Sequence, residues 1–366
     1  PCPRGCGRSP APLAAGSAGA WRDGAMRHSL PVVDLALPGA AKRLREACGP
    51  EGPGFFYLAM GPEEADAANE VLRLSRSFFA LPQDAKNSLK NSANEYFRYK
   101  GFGVPSSGPG YRATAADANF LRDNRESYNI GWDTQGCQGA PYGQTPWPAE
   151  DQVPGFRAAC EKYAEILCRK SRQLRRGFAQ ALELQDDYFD APGLFDRGPW
   201  LLGMVHYHAT ASDPEGGRFG IAPHQDDGIF TLLHTDGAPG LQVCPAWTGS
   251  GVHREDAMKD PNLEWVDVDM LEGHWVVNLG TLLSRWSNGF FKATLHRVVL
   301  GDAAGDRYSV PFFYEANLDA QISCLQGCEA WRDGLPPPLP DTTPGDLMLE
   351  LAHRDGLGLV AGPAAE

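Results

Sequence analysis

His224 and Asp226 stand one residue apart in a His-Gln-Asp triplet, and a third metal-competent side chain, His296, follows 72 positions after the first. In an extended strand, residues i and i+2 point to the same face, so His224 and Asp226 can aim at one point. A second imidazole from a distant strand would complete two nitrogens and one carboxylate on one face of a cation. That set, with the opposite face open, is the one that holds non-haem Fe(II) for oxygen chemistry. By itself His-x-Asp is a weak signal. Asp226-Asp227-Gly228 also reads as a turn, which would make His224 a surface histidine beside a turn acid.

Arg307-Tyr308-Ser309 changes that balance. Arg307 and Ser309 share a strand face and lie eleven and thirteen residues after His296. A guanidinium fork grips a carboxylate with two parallel hydrogen bonds, and a serine hydroxyl can donate to the same anion. A metal trio with such a clamp is what a 2-oxo-dicarboxylic acid needs: its keto end chelates the metal and its far carboxylate takes the cation. The competing role for Arg307 is an ion pair with Asp302 or Asp306.

Short strands must carry these residues. From Trp200 the chain reads as eight of them: Trp200–His208, Arg218–His224, Gly228–His234, Leu241–Cys244, Glu264–Val268, Trp275–Leu279, Thr294–Leu300 and Arg307–Tyr314. Eight short strands behind a helical half predict an α+β protein with a mostly β core, a double-sheet jelly roll. Upstream, Phe156, Cys160, Tyr163, Leu167, Leu174, Phe178 and Leu182 keep helical spacing within a helix of about 153–184, which needs a sheet to lie on. Arg169-Lys-Ser-Arg172 and Arg175-Arg176 read as its solvated face. Pro62-Glu-Glu opens another helix that runs to Pro82. Leu30 to Ala36, Gly54 to Ala59 and Arg125 to Ile130 read as strands, and 91–125 as a long loop region. Pro344 to His353 reads as a short tail helix. The expected divisions are a disordered extension (1–25), an N-terminal helical region (26–150), a supporting helix and linker (151–198), the jelly roll (199–320) and a tail (321–366).

The chain has 366 residues with 42% hydrophobic content, enough for a sizeable core, and no stretch approaches eighteen consecutive apolar residues, so no membrane span is expected. Its formal net charge of −13 argues against a nucleic-acid partner. The nine cysteines include no Cys-x-x-Cys, which fits free thiols in a reducing compartment, the cytoplasm, and a monomer is expected. Residues 1–25 are acid-poor and without periodicity. They read either as an organelle transit segment or as sequence ahead of a true start at Met26.

Beyond the trio and the clamp, longer stretches resemble the isopenicillin N synthase-like group of Fe(II)/2-oxoglutarate dioxygenases. They are Pro223-His-Gln-Asp-Asp-Gly-Ile-Phe-Thr-Leu-Leu, Pro239-Gly-Leu-Gln-Val, Trp275-Val-Val-Asn-Leu-Gly, Trp286-Ser-Asn-Gly-Phe-Phe-Lys-Ala-Thr-Leu-His-Arg-Val and Arg307-Tyr-Ser-Val-Pro-Phe-Phe. Leu30-Pro-Val-Val-Asp-Leu, Gly54-Phe-Phe-Tyr and Phe78-Phe-Ala-Leu-Pro resemble the same family's N-terminal region. The resemblance covers most of residues 29–320 and implies a double-stranded β-helix. It implies Fe(II) on His224, Asp226 and His296, and 2-oxoglutarate on Arg307 and Ser309. Tyr207 is the expected third group at that carboxylate, with His206 and His208 as the alternatives at its position.

The implied reaction couples O2 and the conversion of 2-oxoglutarate to succinate and CO2 to hydroxylation, desaturation or ring closure of a small organic substrate. Ascorbate is a further expected requirement. An oxidase that works without 2-oxoglutarate and a non-catalytic ligand-binding relative are the other readings. The substrate candidates are Tyr128, Phe230 and Phe313. Arg285 reads equally as substrate-facing or surface, His234 as structural, and Asn278 with Leu279-Gly280 as strand packing and a turn. The connector 245–263 reads as a loop graft away from the iron.

Overall fold

The computed structural model describes residues 30–90, 99–101, 123–131, 144–245, 263–301, 305–331, 335 and 337–354. The extension 1–25, most of 91–125 and nearly all of the connector 245–263 lie outside the described residues.

Twelve strands are described: β1 (Val32–Val33), β2 (Phe55–Ala59), β3 (Tyr99–Lys100), β4 (Arg125–Gly131), β5 (Trp200–Tyr207), β6 (Ile221–His224), β7 (Phe230–Thr235), β8 (Leu241–Cys244), β9 (Val266–Asp267), β10 (His274–Leu279), β11 (Leu295–Val298) and β12 (Arg307–Tyr314). They form an eight-stranded sheet, ordered β1-β2-β10-β7-β12-β5-β4-β3, and a four-stranded sheet, ordered β6-β11-β8-β9. All pairings are antiparallel except β1 with β2. This is the expected jelly roll, with one addition. The strands expected in the N-terminal region join the large sheet: β1 and β2 extend one edge, and β4, with β3 beside it, extends the other.

Among the described residues six α-helices surround this core: α1 (Ala40–Cys48), α2 (Pro62–Phe79), α3 (Gln83–Asn87), α4 (Phe156–Ala181), α5 (Thr281–Trp286) and α6 (Pro344–Arg354). Pro62 opens α2, and Glu64 Oε2 accepts the Gly61 backbone N–H at 2.7 Å, satisfying one donor of the first turn. The 26 residues of α4 span about 39 Å at 1.5 Å per residue. Its apolar stripe lies on the outer face of the large sheet, where Phe178 meets Phe56, Phe230 and Phe291 and Tyr163 accepts the Trp275 indole N–H at 2.8 Å. The predicted basic face of α4 is only partly solvated. Arg175 is buried, stacks its guanidinium 4.4 Å from the Phe195 ring and pairs with Asp190 at 2.7 Å.

The main core therefore sits between the large sheet and the helices. A smaller one, built from Val205, Tyr207, Val298 and Leu300, ties the inner face of the large sheet to the small sheet. Strand alternation sorts β12 between the two sides. Val310, Phe312 and Tyr314 join the helix-side core, which leaves Arg307, Ser309, Pro311 and Phe313 to face the small sheet.

Candidate metal centre

β6 and β11 are neighbours in the small sheet, and His296 lies directly opposite His224 in their register. The chain turns after His224, so Asp226 comes back against the same two rings. Its Oδ1 stands 3.6 Å from both His224 Nε2 and His296 Nε2. One ligand atom from each of the three lies within 4.8 Å of the others. Strands distant in sequence thus bring the predicted trio to one point.

The surroundings set which atoms face that point. His224 Nδ1 donates to the Ala222 carbonyl at 2.9 Å and His296 Nδ1 to the Thr294 carbonyl at 3.1 Å. With its proton on Nδ1, each neutral ring presents a lone pair on Nε2. Asp226 Oδ2 accepts from Thr231 Oγ1 and, at 2.7 Å, from Asn278 Nδ2, which leaves Oδ1 turned to the imidazoles. Burial acts to raise the pKa of Asp226. The positive charge that His296 and His224 carry when protonated, with hydrogen bonds from Asn278 and Thr231, outweighs it, and the carboxyl is held below its usual range, an anion suited to a neighbouring cation. The donor set fits a non-haem Fe(II).

Asn278 is thus a buttress of the site and not only strand packing. It pairs directly with Thr231 across β10 and β7. Phe55, opposite Asn278 on β2, packs edge-on against the His296 ring at 5.4 Å. Neither Thr231 nor Phe55 was singled out from sequence. Glu315, just beyond β12, was missed as well. Its carboxyl fills the space that a side chain at Gly228 would need, and burial, then Asp227 and Asp226, push its pKa up to about 8.

The residues expected to form the clamp lie on β5 and β12, where Arg307 pairs with Tyr207 and Ser309 with Val205. The side chains of Arg307, Ser309 and Tyr207 are all buried. The Arg307 guanidinium lies 4.8 Å from the centre of the Tyr207 ring, and Ser309 Oγ is 3.5 Å from Tyr207 Oη. Arg307 Nε donates to the Ala238 carbonyl at 3.3 Å, whereas its Nη1 is buried without a partner among the described residues. A buried guanidinium N–H without an acceptor is costly, and a carboxylate of 2-oxoglutarate would satisfy it. Of the two predicted ion-pair partners, Asp302 lies outside the described residues, and Asp306 turns to His206 and Ala209 instead.

The remaining candidates separate by face. Phe313 lies opposite Thr231, on the side of the triad. Tyr128 and Phe230 lie on the other side. Tyr128 is fully buried against Phe78 and Phe156, and Phe230 packs on Phe178 and Tyr314. The large sheet separates both from the trio. His206 and His208 alternate with Tyr207 and also leave the triad face. His206 stacks on Tyr308 at 4.5 Å, on the helix side. Arg285 donates to the Pro340 carbonyl at 2.7 Å. His234, under α2, meets Asn69 Oδ1 at 3.2 Å.

Comparisons with known proteins agree with this geometry. The model of the 2OG-Fe(II) oxygenase superfamily matches residues 201–316, and that of the N-terminal region of non-haem dioxygenases in morphine synthesis matches residues 30–150. The chain is 31% identical over 330 residues to kihadalactone A synthase of Citrus sinensis, covering 88% of this chain and 91% of that one. It is 30% identical to azadirone synthase of Melia azedarach, with 88% and 91% covered. The crystal structure of a full-length Neurospora crassa protein in complex with alpha-KG superposes with a TM-score of 0.71 at 27% identity, covering 89% of this chain and 96% of that one. Fold, ligand geometry and sequence therefore converge: the chain belongs to the 2OG-Fe(II) oxygenase superfamily and is an Fe(II)- and 2-oxoglutarate-dependent oxygenase.

Proposed function

We propose that His224, Asp226 and His296 hold the iron, that Arg307, Ser309 and Tyr207 hold the far carboxylate of 2-oxoglutarate, and that the substrate enters beside Phe313. One observation carries this reading: three ligand atoms converge between the same two sheets that enclose a buried arginine with an unused N–H. When bound, iron and 2-oxoglutarate supply the oxidising chemistry, in which O2 drives the co-substrate to succinate and CO2 and oxidises a C–H bond of the substrate.

The protein's own work is placement. The Ala222 and Thr294 carbonyls hold the imidazole tautomers, and Asn278 and Thr231 hold the carboxylate. Phe55 packs against His296 and Phe313 lies on the triad side of β12, apolar surroundings that would keep stray water from the reacting centre. Such surroundings suit a small organic molecule with an apolar body. Hydroxylation, desaturation and ring closure all start from the same hydrogen removal, and substrate geometry chooses among them. Ascorbate would serve to keep the iron ferrous. Only a few large apolar residues among those described are exposed, Val32, Leu37, Tyr188, Leu271 and Leu339, which supports a monomer. Six free cysteines among the described residues support a reducing, cytoplasmic setting.

A library of small organic molecules, screened for succinate formed with O2 uptake, tests the reading. Wild-type protein is expected to release succinate only with Fe(II) and 2-oxoglutarate present. Asp226→Ala should lose both iron and turnover. An Asp226→Ala protein that binds Fe(II) as tightly as wild type would remove the site as assigned.

A further inference from the structure

On the opposite face of the same two strands, a second group of metal-competent side chains converges. His206 and His208 flank Tyr207 at the end of β5, and Asp306 precedes Arg307 at the start of β12. His206 Nε2 lies 3.2 Å from Asp306 Oδ2, and His208 Nδ1 lies 3.9 Å from Asp306 Oδ1. One ligand atom from each of the three lies within 4.8 Å of the others. Around a tetrahedral ion with bonds of about 2.0 Å, ligand atoms sit about 3.3 Å apart. The first distance already matches. The second closes with a small turn of His208, whose side chain is half exposed.

His206 is also held as a metal-bound imidazole is held. Its Nδ1 lies 2.8 Å from Glu126 Oε1, and Glu126 Oε2 accepts from Lys86 Nζ at 2.8 Å. A carboxylate on the rear nitrogen fixes the tautomer, aims the ring and strengthens the front nitrogen as a ligand. Parallel stacking on Tyr308 fixes the ring plane. The Ala209 backbone N–H donates to Asp306 Oδ1 at 3.0 Å and orients that carboxylate.

We propose that His206, His208 and Asp306 form a second cation site, distinct from the iron centre, that takes a borderline divalent ion such as zinc. Two imidazoles and one carboxylate suit zinc, nickel or copper. Solvent would complete the coordination on the exposed side. The position gives the site a role. Tyr207 and Arg307 pair directly across β5 and β12, so an ion joining their neighbours braces the strand ends that carry the 2-oxoglutarate clamp.

Full-length Asp226→Ala protein, with the iron centre disabled, is dialysed against micromolar zinc. One bound equivalent is expected, together with a raised melting temperature. Adding His208→Ala and Asp306→Ala should abolish both. These two side chains are about half exposed, at 50% and 44%, so the triple variant should fold. In case Asp226→Ala folds poorly, wild-type protein saturated with Fe(II) provides a second count: zinc should add one equivalent that His208→Ala lacks. The proposal fails if zinc uptake is the same with and without His208 and Asp306. In that case His206 simply lies between two carboxylates. The iron assignment is untouched by either result.

Discussion

His296 faces His224 across the β6–β11 ladder, with ring centres 4.1 Å apart. Residues 72 positions apart in the chain are therefore nearest neighbours in the sheet. Asp226 needs only a local turn to reach both, and Thr231 and Asn278 hold it there.

Removing that hold has a measurable cost. Asn278→Ala takes away the 2.7 Å bond to Asp226 Oδ2 and frees the carboxylate to rotate. Partners behind a metal ligand are worth about 10–100-fold in metal affinity. Fe(II) affinity by equilibrium dialysis is expected to fall by that order, with the fold retained by circular dichroism.

Arg307→Lys keeps a positive charge but loses the planar fork. A charge-assisted hydrogen bond contributes about 1.5–3 kcal/mol, so the KM for 2-oxoglutarate should rise roughly 10–100-fold. Iron affinity should stay near wild type, because Arg307 touches none of the three ligands. An unchanged KM would remove Arg307 from the clamp.

Gly280 is required for space. A Cβ there would stand 2.0 Å from the Gly228 carbonyl oxygen. The next two backbone N–H groups, of Thr281 and Leu282, donate to the Asp226 and Asp227 carbonyls at 2.7 and 2.9 Å. Gly280→Ala must push this loop apart. Destabilisation of about 1–3 kcal/mol is expected from denaturant titration, with a parallel loss of iron affinity. A serine at the same position should be no better tolerated.

His234 supplies a pH dependence of stability. Burial, only partly opposed by Asp236, lowers its pKa from 6.5 to about 4, and its Nδ1 is buried without a partner among the described residues. Between pH 6.5 and 4 the unfolded chain takes up a proton that the folded chain refuses. Stability is therefore complete above about pH 6.5 and falls as the pH drops toward 4. The difference is about 2–3 kcal/mol after allowance for partial exposure. His234→Leu should lose less stability than wild type over this interval; equal slopes would rule the assignment out.

The proposed iron ligands and the proposed clamp are legible in the sequence because each pair depends on local alternation. His224 with Asp226, and Arg307 with Ser309, share a face whatever lies around them. Asn278 and Thr231 could not be read that way. Their role exists only because β7 and β10 pair in one register and the loop after His224 folds back. The same limit applied to Tyr128 and Phe230: alternation divides a strand into two faces, but which face meets helices is settled by the neighbouring layers. Phe55 was hidden for a third reason. It reaches the site only because a strand from the N-terminal region joins the edge of the large sheet.

The ladder between β6 and β11 shifts register between His296 and Val298. Slipping β11 by a single residue would put Leu295 or Arg297 opposite His224 and send the imidazole outward. Neither replacement can grip a ferrous ion. Iron present while the chain folds would thus act as a proofreader, rewarding one alignment and leaving its off-by-one rivals without the reward.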